Sequence, residues 1–148
     1  MRFMKEYGKS SDEVICRLDN SIIEKKFRRD KIDKLLTEAV QNDGFEMVYQ
    51  PIYSTEQVRF RSAEALVRMK NTGDLGFISP EEFIPIAEEK GLIMDIGDIT
   101  LRLVADFAKR RTLTDKLEYI EVNLSGIQAC APELEGRLTK ILAEYDIP

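Results

Sequence analysis

Glu64 and Asn123 are the residues whose types and surroundings point most directly to chemistry. Glu64 lies in Ser62-Ala63-Glu64-Ala65-Leu66-Val67-Arg68, and Asn123 in Ile120-Glu121-Val122-Asn123-Leu124-Ser125. Each places a hard oxygen ligand inside an apolar, strand-like run, where a carboxylate is costly to bury unless something cationic pairs with it. A carboxylate with an amide carbonyl suits Mg²⁺, Mn²⁺ or Ca²⁺ and does not suit zinc. In parallel α/β sheets, ligands gather at the C-terminal ends of the strands. Both residues lie late in their runs. If the two strands are parallel neighbours, about 5 Å apart, both side chains can reach one cation. Plainer alternatives stand beside this one. Glu64 could be a solvated strand residue or the partner of Arg59, Arg61 or Arg68, and Asn123 could end its strand by bonding its own backbone.

Composition narrows the chemistry. The 148 residues contain no histidine, which excludes His-based zinc sites, Ser-His-Asp triads and an imidazole base. Hydrolysis here would fall to carboxylates, Lys, Tyr, Cys or metal-bound water. Cys16 and Cys130 form no CxxC motif and read as free thiols of a reducing compartment, which makes the cytoplasm the default. A net charge of −5 gives no basic face for a nucleic acid polymer. No run of about 18 apolar residues offers a membrane span, and Met1 to Glu6 lacks a signal-peptide core. A full-length parent could still be tethered to a membrane. With 43% hydrophobic and 33% charged residues, the chain reads as a globular domain with a well-charged surface.

The elements that must position these residues follow from periodicity. Ser11 to Asp43 reads as helix, from Ile15, Leu18 and Ile22 and then Ile32, Leu35, Leu36, Ala39 and Val40. The charged stretch Lys25 to Lys31 weakens the stripe and predicts a bend or exposed connector. Gly44 is expected at C′ of that helix. Phe45 to Tyr53 and Val58 to Met69 read as strands joined through Ser54-Thr55-Glu56-Gln57, an antiparallel hairpin. After a loop at Asn71 to Gly76, Ser79, Pro80 and Glu82 form a helix start with a capping box. Phe83, Ile86 and Ala87 are its apolar face and Gly91 its stop. A second helix is expected over Ile93 to Arg110, with Ile96, Ile99, Leu103, Val104 and Phe107 inward. A strand is expected over Tyr119 to Leu124, and a last helix opens at Pro132. The order from Val58 onward, β-α-α-β-α, implies a parallel sheet with right-handed crossovers.

Four linked motifs resemble the EAL domain family: Tyr49-Gln50-Pro51-Ile52, Ala63 to Arg68, Ile78 to Glu89, and Val122-Asn123-Leu124-Ser125. Together they are far more specific than Glu-Ala-Leu alone. The resemblance, from about Phe45 to Pro148, implies a cyclic di-GMP phosphodiesterase on a modified TIM barrel. It implies that Glu64 and Asn123 bind metal, Mg²⁺ or Mn²⁺. It further implies that Gln50 and Arg68 contact the dinucleotide, with Arg68 near a phosphate, and that Leu66 lines the substrate groove. For Gln50 the plain alternative is a strand-ending residue before proline, and for Arg68 a surface ion pair of little energy. The helix from Ser79 to Gly91 reads as structural. Met69 stands where many members carry an aromatic residue, a change expected to alter packing at the groove edge.

A TIM barrel needs roughly 250 residues. The expected fold is therefore α/β, a partial TIM-like barrel opening with an antiparallel hairpin. Residues 1–44 form a helical linker, and residues 45–148 form the N-terminal portion of the domain, cut before its third parallel strand. The family's further metal-binding glutamate, its Asp-Asp pair and its catalytic lysine would lie beyond Pro148, so a two-metal site is expected only in the full-length domain. The isolated chain is expected to be poorly stable and inactive, with exposed sheet edges. Three functions remain open: hydrolysis of cyclic di-GMP by the parent, cyclic di-GMP sensing by a degenerate domain, and an interaction module. A homodimer of the full-length protein is compatible with each.

Overall fold

The computed structural model describes residues 20–110 and 117–147. Cys16 and the first part of the expected N-terminal helix, with Ile15 and Leu18, lie outside these residues.

Helix α1 runs Asn20–Gln41 and buries Ile32, Leu36 and Ala39. It is continuous through Lys25 to Lys31, where the sequence suggests a bend. The charges there are an interhelical contact. Arg28 meets Glu82 at 2.6 Å, Arg29 meets Glu89 at 2.6 Å, and nearby Asp33 accepts from Lys90 at 2.8 Å. At the C-terminus Asp43, with φ 50°, takes the left-handed position expected of Gly44. Gly44 follows it, its N–H donating to Ala39 O at 2.9 Å, the longer bond of a Schellman turn. A Cβ on Gly44 would overlap Ala39, so close approach explains this glycine.

Strand β1 (Phe45–Ser54) pairs antiparallel with β2 (Arg59–Met69), the expected hairpin. Strand β3 (Tyr119–Val122) lies parallel to β2 on its other side. The sheet order is β1-β2-β3. Period-two alternation divides the sheet into two faces. Ala63, Ala65 and Met69 are buried, and Met69 packs opposite Phe45 in the core beside Phe83. Met69 therefore lies on the helix-covered face and does not reach the groove edge expected from the motif. Tyr49 shares this face and stacks on Phe107 at 3.9 Å. Burial there pushes its phenol up to about 12, with the Asp106 carboxylate adding to the rise.

Between β2 and β3 the chain makes helix α2 (Pro80–Lys90) and helix α3 (Ile93–Lys109). The start of α2 is as its sequence predicts. Ser79 is the N-cap, Pro80 opens the first turn, and the Ser79 N–H donates to Glu82 at 3.1 Å. Gly91 closes α2 in the left-handed region at φ 73°. Phe83, Ile86, Ala87, Ile93 and Ile96 form the core with α1, Phe45 and Met69.

After β3 comes a four-residue helix, α4 (Gly126–Ala129), where no element is expected. The last helix, α5 (Leu134–Glu144), begins two residues after Pro132. Arg137 ties α5 to α3, donating to the Asp98 carboxylate at 2.8 and 3.0 Å and to Met94 O at 3.3 Å.

Candidate functional site

The second sheet face is the more open one, with Val48 46% accessible. Register sets its contents. Gln50 lies opposite Glu64, Val48 opposite Leu66, and Glu46 opposite Arg68. On the other side Glu64 lies opposite Glu121. Gln50, Glu64 and Glu121 thus form one row across the three strands, with Leu66 and Arg68 two and four residues further along β2.

Asn123 does not lie within a strand. β3 ends at Val122, and Asn123 is the first residue past it. Its side chain nevertheless meets the predicted partner, with Nδ2 donating to Glu64 Oε1 at 2.6 Å across 59 residues of sequence. Two residues chosen for their oxygen chemistry therefore meet where β3 ends, although Glu64 lies in the middle of β2 and not late in its strand as the sequence suggests. The alternative partners of Glu64 are engaged elsewhere. Arg59 and Arg61 both bond Glu118. Arg68 donates to Val67 O at 2.9 Å, and its guanidinium lies 5.6 Å from the centre of the Phe77 ring. An exposed ring under a half-buried guanidinium holds the side chain by cation–π attraction and leaves its other N–H groups available. Leu66 and Asn123 line a common pocket of about 180 Å³ with Ile84, Ile93 and Leu124.

The donor chemistry of Glu64 and Asn123 fits a hard divalent cation. Two protein ligands, with three oxygens at most, fall short of the six or more such an ion takes. Among the described residues no group of three or more His, Cys, Asp or Glu is placed to hold a metal.

Two residues of this region were not singled out by the sequence. Glu121 enters through strand register, which no local pattern reports. Gln128 is buried and bonds both Ser125, two residues after Asn123, and Ile93. Its signal was present as Ser125-Gly126-Ile127-Gln128, a capping box with glutamine at N3.

The EAL domain model matches residues 33–148. The chain is 35% identical over 116 residues, 78% of its length, to the cyclic di-GMP phosphodiesterase PdeR of Escherichia coli, and spans 17% of that protein. Among solved structures it is similar to the PaMucR phosphodiesterase in a cyclic di-GMP complex, with TM-score 0.60 and 27% identity, over 70% of this chain and 42% of the other. The FimX EAL domain of Pseudomonas aeruginosa bound to cyclic di-GMP shares the fold at TM-score 0.67 and 22% identity, over 79% of this chain and 46% of the other.

Proposed function

The chain belongs to the EAL domain family, and on that footing we propose that it is part of a domain that hydrolyses cyclic di-GMP to the linear dinucleotide with Mg²⁺ or Mn²⁺. Helix α1 is then a linker helix that packs on the domain core, and residues 45–148 are the N-terminal portion of a TIM-like barrel. The single observation that carries the proposal is the meeting of Glu64 on β2 with Asn123, just past the end of β3, at 2.6 Å. Similarity to PdeR and to PaMucR supports the choice of substrate.

Each residue has a role its chemistry suits. Glu64 and Asn123 would hold the cation, one through its carboxylate and the other through its amide carbonyl. A bound divalent cation polarises a phosphodiester and makes hydroxide available from water near neutral pH. Arg68 offers a planar guanidinium to a phosphate. Gln50, opposite Glu64 in the register, gives an amide to hydrogen-bond the dinucleotide. Leu66 forms an apolar wall. In the intact protein Glu64→Ala should abolish Mg²⁺-dependent turnover of cyclic di-GMP; undiminished turnover would remove Glu64 from the metal site.

A second reading, cyclic di-GMP binding without cleavage, would use the same Gln50, Leu66 and Arg68, which share one face of β1 and β2. Calorimetry beside a turnover assay separates the two. Binding with no linear product supports the sensor; product formation supports the hydrolase.

A further inference from the structure

A single buried side chain fastens the loop that carries Asn123 to the core. Gln128 is 6% accessible. Its Oε1 accepts from the Ser125 N–H at 2.8 Å, and its Nε2 donates to Ile93 O at 2.9 Å. One amide thus bridges the backbone two residues after Asn123 and the first residue of α3. Ile93 and Ile96 are themselves 2% accessible, so the bridge ends on a rigid support. Gly97 forms its seat, since a Cβ there would overlap Gln128 Nε2. Releasing either bond would strand a buried polar group.

The bridge matters because β3 ends at Val122. Pairing of β2 with β1 and β3 orients Glu64, but the β2–β3 ladder stops before Asn123. We infer that Gln128, seated on Gly97, is a positioning residue that holds Asn123 where it can share a divalent cation with Glu64. The inference rests on the metal reading above. Partners of this kind behind a ligand commonly govern metal affinity about 10- to 100-fold.

The capping box of α4 has two halves, and variants separate them. One half is the Gln128 main-chain N–H donating to Ser125 Oγ at 3.3 Å, a bond that Gln128→Leu keeps. Ser125→Ala removes that bond and keeps both side-chain bonds of Gln128.

The test is Mn²⁺ binding to the intact protein, read from the electron paramagnetic resonance signal of free Mn²⁺, with a thermal melt of each variant. Gln128→Leu should weaken Mn²⁺ about 10- to 100-fold, while Ser125→Ala, though less stable, stays near the wild-type affinity. Gly97→Ala, which pushes the same side chain from the opposite wall, should behave like Gln128→Leu and serves in its place if that variant does not fold. Wild-type protein that binds no Mn²⁺ would overturn the metal reading and this inference with it. If wild type binds and Gln128→Leu binds as tightly, the inference fails while the metal reading stands. It also fails if Ser125→Ala loses as much affinity as Gln128→Leu, because loop stability would then explain both.

Discussion

Arg28 and Glu82 form a two-pronged ion pair, Nε to Oε1 at 2.6 Å and Nη2 to Oε2 at 3.2 Å, that joins α1 to the first turn of α2. The same guanidinium also donates to Leu75 O and Phe77 O, both at 3.0 Å. One arginine therefore fixes the helix start and the loop carrying the ring that lies under Arg68. Lysine cannot reproduce this fork. Arg28→Lys should lower unfolding free energy by about 1–2 kcal/mol, a range reduced because both side chains are about a third exposed. Urea denaturation measures it, and a midpoint equal to wild type would show that the fork contributes nothing.

Glu82 also makes stability depend on pH. Its carboxyl lies below its ordinary value of 4.5, first because Arg28 bonds it and further because the Ser79 N–H does. A carboxyl lowered on folding stabilises the folded state above its unfolded value, and that stability is lost as pH falls through the folded value. Wild type should therefore lose more stability than Glu82→Gln between about pH 5 and pH 3. Parallel urea midpoints across that window would count against the linkage.

Asn123→Asp would put a second carboxylate against Glu64. Like charges at that distance destabilise each other, and a divalent cation relieves them. In the intact protein without divalent ions the variant should melt below wild type, and Mg²⁺ should raise its melting temperature by more than it raises that of wild type. An equal Mg²⁺ shift in the two proteins would argue against a shared cation at this pair.

Two glycines should respond oppositely to alanine. Gly44→Ala places a Cβ into Ala39 backbone atoms, and overpacking of this kind costs about 1–3 kcal/mol. Gly136 is exposed within α5 with open space around its missing Cβ. Gly136→Ala should stabilise by about 0.5–1 kcal/mol. Thermal melts that move in the same direction for both would contradict the packing described for Gly44.

The parts of the fold readable from local sequence are those that local physics decides. Ser79, Pro80 and Glu82 start α2, and Gly91 stops it, because caps are satisfied within a few residues. The hairpin and the β-α-α-β-α order follow likewise from periodicity and turn residues. The stretch from Lys25 to Lys31 was not readable in this way. Its charges look like a break in a stripe until Glu82 and Glu89, more than 50 residues away, are brought alongside. Asp43 in place of Gly44, and Met69 on the covered face, depend on where a helix and a strand end to within one residue.

The sequence by itself determined which groups are available for chemistry: a histidine-free set of hard oxygens, with Glu64 and Asn123 in motifs that place the chain in its family. Tertiary structure alone decided their company. Strand register set Gln50 and Glu121 beside Glu64, and the parallel crossover carried Asn123 to within a hydrogen bond of it. A buried amide, Gln128, then tied the Asn123 loop to α3. Residue type and short-range pattern are written along the chain. Contacts between residues 59 apart depend on the summed packing of every element between them, and no local pattern encodes that sum.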